Sequence, residues 1–62
     1  MMRVVFNDLR RGTYLSIENI IQIRSQCTRI NGHMTNVWIL MLDDGTHRVF
    51  PQRHYTIDRV EI

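Results

Sequence analysis

Residues 21–42 read Ile21-Gln22-Ile23-Arg24-Ser25-Gln26-Cys27-Thr28-Arg29-Ile30, then Asn31-Gly32, then His33-Met34-Thr35-Asn36-Val37-Trp38-Ile39-Leu40-Met41-Leu42. Both central positions of a type I′ hairpin turn need positive φ, which Asn-Gly tolerates better than almost any other pair. Such a loop pairs Ile30 with His33, and counting outward pairs Cys27 with Asn36, Ser25 with Trp38, Ile23 with Leu40 and Ile21 with Leu42. Directly paired residues share a face. One face therefore gathers Ile21, Ile23, Trp38, Leu40 and Leu42, and the other sets Gln22, Arg24 and Gln26 against Met41, Ile39 and Val37. A slip of one residue would bury Gln22 and Arg24 instead, so the pattern specifies the register.

The next turn signal is Asp43-Asp44-Gly45. With Asp44-Gly45 as a two-residue loop, Leu42 faces His47, Met41 faces Arg48, Leu40 faces Val49 and Ile39 faces Phe50. Val49 then joins the core. A three-residue loop would turn Arg48 inward and is set aside on that ground. The two hairpins make a meander over residues 21–50, with Val37–Leu42 in its middle.

Around the meander, Arg3–Phe6 reads as a first strand, and Tyr14-Leu15 as a short extended piece after the Arg10-Arg11-Gly12 turn. Ser16–Asn19 reads as one helical turn capped by Ser16, whose side chain can satisfy free amides. Pro51 ends the strand before it, since proline donates no ladder bond. Gln52–Tyr55 reads as a turn and Thr56–Ile62 as a last strand, with an imperfect alternation that leaves its inward face open. Residues 1–62 form a single small β domain without repeat or linker. The expected fold is all-β: a small five-stranded curled antiparallel sheet, or an SH3-like open barrel, with one short helical turn.

Composition agrees. Val, Ile and Thr fill 18 of 62 positions, while Ala and Lys are absent and all eight basic residues are Arg; β-branched residues fit a pleated surface. A chain this short buries little surface and commonly needs a disulfide, a metal or a partner subunit. The lone Cys27 excludes an internal disulfide. The longest apolar run, Val37–Leu42, falls far short of the ~20 residues of a membrane span, and Arg3 and Asn7-Asp8 interrupt any signal-peptide core, so a cytoplasmic location is expected. The net charge of +2 is mild for a committed nucleic-acid binder.

Catalytic and metal motifs do not assemble. Cys27, His33, His47 and His54 lack the paired spacing of a structural zinc site, and Cys27 faces Asn36 across the ladder rather than a histidine that could activate it. Asp43 and Asp44 serve a turn, Glu18 the helical turn, and Asp58 and Glu61 the last strand, so no carboxylates pair inward. The chain is expected to be no enzyme and to carry neither cofactor nor metal.

The anomaly is the outer face. An antiparallel sheet with one solvated face alternates apolar and polar residues, yet Val37–Leu42 is apolar throughout. Val37, Ile39, Met41 and Phe50 form a stripe rimmed by Arg24 and Arg48. Either the first or last strand covers it, or it is a contact surface. The expectation is a non-enzymatic protein-binding module, a small homodimer that acts by occupying a site on a partner protein through these six residues. The alternative is a single-stranded nucleic-acid binder using Arg24, Arg48 and Phe50.

Residues 38–60 resemble the second half of SH3 domains: Trp38 on a strand, a tight hairpin at Gly45, the Phe50-Pro51 step, a turn leading to Tyr55, and a last strand. The resemblance implies the small-barrel shape. The acidic and aromatic first-half motif of peptide-binding SH3 domains is missing, and Pro51 and Tyr55 stand one residue further apart than is usual there. The small lysine-free frame also resembles accessory proteins of bacteriophages, which implies an inhibitor of a host factor.

Overall fold

The computed structural model describes residues 1–62 and contains five strands and no helix: β1 (Met2–Asp8), β2 (Thr13–Ile30), β3 (His33–Leu42), β4 (His47–Pro51) and β5 (Tyr55–Glu61). They form one antiparallel sheet in the order β4-β3-β2-β1-β5, not closed into a barrel. No helix is long and apolar enough to cross a membrane.

The β2–β3 hairpin turns on Asn31 (φ 50°) and Gly32 (φ 81°). From Ile30↔His33 through Ser25↔Trp38 to Ile23↔Leu40 its register is the one the turn dictates. Below Gln22↔Met41 the ladder slips, and Leu42 faces Ile20 rather than Ile21. Ile21 is the extra residue of a bulge and stands 55% exposed, while Ile20 is fully buried.

A second irregularity lies beside the first. Met2 pairs with Ile20 but Val4 with Ile17, so β2 carries one more residue than β1 across this step. Asn19 takes it up with a φ of 61°, a left-handed conformation that Asn tolerates better than most residues. The expected helical turn at Ser16–Asn19 is therefore absent. Ser16 and Ile17 pair with Val5 and Val4, and burial of Ile17 on the sheet's inner face outweighs the local capping preference of Ser16. The Tyr14-Leu15 piece and the strand at 21–30 are one continuous 18-residue strand. Its first part pairs with β1 and its second with β3.

The bend rolls the sheet up. Phe6 on β1 and Phe50 on β4 are three strands apart, about 14 Å in a flat sheet at ~4.8 Å per strand, yet their ring centroids are 4.9 Å apart. Tyr55 stands edge-on to both rings at 6.0 and 5.1 Å, and Trp38 Nε1 donates to the Tyr55 carbonyl across the roll at 2.9 Å. Inside lie Val4, Phe6, Ile17, Ile20, Leu40 and Phe50, flanked by half-buried side chains including Ile23, Trp38, Leu42 and Ile57.

The β3–β4 hairpin departs from the expected register by one residue. Its loop is the three-residue Asp43-Asp44-Gly45: Leu42 N–H donates to Thr46 O at 2.9 Å, and Gly45 (φ 86°) takes the left-handed position that a three-residue loop requires. The Asp44 carboxylate locks it by accepting from Thr46 N–H at 2.9 Å and Thr46 Oγ1 at 2.6 Å. Phe50 consequently pairs with Trp38, Val49 with Ile39 and Arg48 with Leu40. Phe50 enters the core, Val49 does not, and Arg48 does turn to the inner side. β4 is an edge strand, so Arg48 at its rim lays its guanidinium 5.4 Å from the Phe50 ring centroid and remains exposed, as a long side chain with a hydrated head can.

On β5, Asp58 falls at a register shift between Arg59↔Val5 and Ile57↔Phe6, which accounts for the imperfect alternation there. Replacing Asn19 tests the bend. Asn19→Val is expected to cost about 1–2 kcal/mol from left-handed strain, with Asn19→Gly near neutral, read from urea denaturation followed by Trp38 fluorescence. Equal stabilities would mean that residue 19 is not left-handed.

Candidate functional site

The outer face of β2–β3–β4 is partly exposed: Val49 is open to solvent, Ile39 and Met41 are half-buried and Val37 is buried. All substantial strand-to-strand contacts run between sheet neighbours, and the side chains of β1 and β5 that cross the roll do so on the inner side. Along β3 the outer residues are Val37, Ile39 and Met41, flanked by Gln26, Arg24 and Gln22 on β2 and by Pro51, Val49 and His47 on β4. The six expected contact residues thus divide. Arg24, Ile39 and Met41 lie together on this face. Val37 lies on it too but is fully buried, beside the 52–54 turn, where Gln52 Nε2 donates to Val37 O at 3.2 Å and to Ser25 Oγ at 2.6 Å.

Phe50 and Arg48 belong to the other side. Phe50, 7% exposed within its aromatic cluster, offers no face to a base, so the expected stacking platform of Arg24, Arg48 and Phe50 does not form. Val49, 52% exposed, replaces Phe50 in the outer patch. Only the length of the Asp43–Gly45 loop separated the two assignments. Three strands at ~4.8 Å and five residues at ~3.3 Å give the patch a flat area of roughly 240 Å², which is small for a protein contact.

Charge is sorted by end. At one end, Arg3 lies between Glu61, to which it donates from Nε at 2.9 Å, and Glu18 at 3.8 Å. Arg59 donates to Glu61 and Asp58, both at 2.7 Å. Hydrogen bonds from Arg59, then Arg3, hold the Glu61 carboxyl below its ordinary value, and Glu61, then Asp58, raise the Arg59 guanidinium. The Thr46 hydroxyl, then its amide, likewise lowers the Asp44 carboxyl. Asp43 N–H donates to Asn19 O at 3.0 Å, placing the β3–β4 loop at this same end.

The opposite end joins two turns: Leu9 N–H donates to His54 O at 2.9 Å. Residues 9–12 supply Arg10 and Arg11, and residues 52–54 supply Arg53 and His54. Asp8, 8% exposed, accepts from the amides of Arg10 at 3.1 Å and Arg11 at 3.2 Å and so caps its own turn. Sequence reasoning missed this grouping, because the adjacency of the two turns appears only once β5 is paired with β1.

Cys27 is exposed on the β2–β3 hairpin, and no three His, Cys, Asp or Glu side chains gather closely enough to hold a metal ion. Compared with known proteins, the chain matches no family model, no curated protein and no solved structure.

The two β4 assignments separate experimentally. Phe50→Ala is expected to cost about 3 kcal/mol or more, the range for a buried Phe, and to leave a domain of this size largely unfolded by circular dichroism. Val49→Ala is expected to stay within about 1 kcal/mol of the parent. The reverse ranking would restore the two-residue loop.

Proposed function

We propose that the chain is a non-enzymatic protein-binding module of SH3-like shape whose contact surface is the outer face of β2–β3–β4. A second copy of the chain is the occupant this face fits first. The observation that carries this reading is that Ile39, Met41 and Val49 stand side by side on the outer face, the first two half-buried and Val49 52% exposed. A two-fold axis running along β3 stacks β3 on β3 and lays each copy's Arg24 across the other's Val49. That keeps like charges apart and lets the arginine stem cover the valine, as an isologous contact requires. Self-association also adds burial to a domain with only nine buried residues.

The small patch makes the contact weak, so the dimer is expected at roughly tens to hundreds of micromolar, as for contacts at the low end of interface size. If the resemblance to bacteriophage accessory proteins holds, the same face works by occupying a site on a host protein.

Light scattering across 20 μM to 1 mM, on an approximate scale set by that weak contact, is expected to show a mass rising from one copy towards two. Ile39→Asp should stay folded, since the carboxylate remains hydrated beside Arg24, and should weaken association ten-fold or more. Leu40→Asp faces the core and should unfold the protein. A parent that stays monomeric at the highest concentration, or an unfolded Ile39→Asp, would contradict the reading.

A further inference from the structure

The end of the sheet opposite the carboxylates has the makings of a second binding site. Arg10 and Arg53 make no ion pair, and the Arg11 side chain is 83% exposed, with its Nε 4.0 Å from Asp8 Oδ2. Asp8, the carboxylate of this end, is nearly buried, accepts from backbone amides and lies against Arg11, so it offsets one of the three arginine charges and leaves a positive balance. The β2–β3 hairpin leaves from the same end, because Asn36 O accepts from Gln52 N–H at 2.9 Å. Arg53 lines a hollow of about 350 Å³ with Met34, Thr35 and Asn36 of that hairpin.

Distance protects this field. Glu18, Asp43, Asp44 and Glu61 lie at the other end of β1, six residue steps or about 20 Å away at ~3.3 Å per residue. That is more than two Debye lengths at physiological salt, ~8 Å each. The acidic end therefore does not cancel the basic one, despite a net charge of only +2.

An exposed aromatic residue opens β2 directly after the turn that carries Arg10 and Arg11. Tyr14 is 69% exposed and lines a hollow of about 280 Å³ with Asn7, Asp8, Leu9, Gly12 and Thr13. Arg10 and Arg11 line the adjoining hollow on the other side of Asp8. Planar guanidinium groups match phosphate bidentately, and a bare aromatic face accepts an unpaired base of any sequence. A carboxylate-rich peptide would use the arginines and leave the ring idle, and a duplex would offer no free base to it.

From this juxtaposition we propose that the two-turn end binds single-stranded nucleic acid without sequence preference, with phosphates on Arg10, Arg11 and Arg53 and a base stacked on Tyr14. The residues differ from those of the outer face, so the two sites stand or fall separately.

The test is fluorescence anisotropy of a labelled oligothymidylate against the full chain over a salt series. Three neutralised phosphates give an expected log–log slope of about −2, at ~0.7 per phosphate. Arg10→Ala with Arg11→Ala should weaken binding at least ten-fold and flatten the slope by about 1.4 on the same scale. Tyr14→Ala should weaken it while Tyr14→Phe preserves it, and Arg24→Ala and Ile39→Asp should leave it unchanged. If the double variant does not fold, Arg53→Ala and the Tyr14 pair carry the same comparison. No binding at the lowest salt, indifference to these substitutions, equal affinity for a blunt duplex, or displacement by polyglutamate at matched charge would each overturn the proposal.

Discussion

One bend in one strand organises this molecule. Between Ile17 and Gln22, β2 takes up surplus residues against both neighbours, with Asn19 left-handed and Ile21 left out of the β3 ladder. Bulges sharpen twist and bend the strand that carries them. Because β2 alone spans both halves of the sheet, its bend sets the angle between the β1–β5 pair and the β3–β4 pair. Phe6, Phe50 and Tyr55 then close over the inside. A flat version of the same pairing would leave those rings on an open surface, and a chain of 62 residues has no second layer to cover them.

Rolling the sheet to one side leaves its other side bare. Where β1 and β5 form the outer face, polar and charged side chains cover it: Val5 lies between Ser16 and Arg59, within reach of the Arg59–Glu61–Arg3 series. Where β2, β3 and β4 form it, Ile39, Met41 and Val49 meet solvent. Strand pairing alone sets turn 9–12 against turn 52–54, since Leu9 and His54 continue the β1–β5 ladder, and the β3–β4 loop against Asn19, since Asp43 and Asn19 continue the β2–β3 ladder. Arg10, Arg11 and Arg53 come together at one end, and Glu18, Asp43, Asp44 and Glu61 at the other, where Arg3 and Arg59 pair with carboxylates. The enclosed core follows from the bend, and the charged ends follow from which strands pair.

Local chemistry made part of this legible in advance. Asn31-Gly32 has essentially one tight-hairpin solution, and the clean alternation of Gln22, Ile23, Arg24 and Ser25 ties the face of Trp38 and Leu40 to it. The β3–β4 register differs from the expected one because an inward Arg48 need not be a buried charge. On an edge strand it lies over Phe50 with its head in water, and the Asp44–Thr46 hydrogen bonds favour the longer loop. Ser16–Asn19 carries good capping residues, and only pairing with a distant segment makes it a strand. The bulge at Ile21 leaves the hydrophobic pattern intact on either side, so Ile20 and Ile21 look interchangeable until β1 is present. The basic end is wholly non-local: nothing near Arg10 in the chain points to Arg53.

The central claim is that the outer face around Ile39, Met41 and Val49 is the surface on which the chain meets another molecule. The most direct measurement is a dilution series of methyl-resolved NMR spectra. The account predicts that the Ile39, Met41 and Val49 methyls shift with protein concentration while those of Val4, Ile17 and Ile20, inside the roll, do not. Concentration-independent spectra throughout, or shifts confined to the inner methyls, would contradict it.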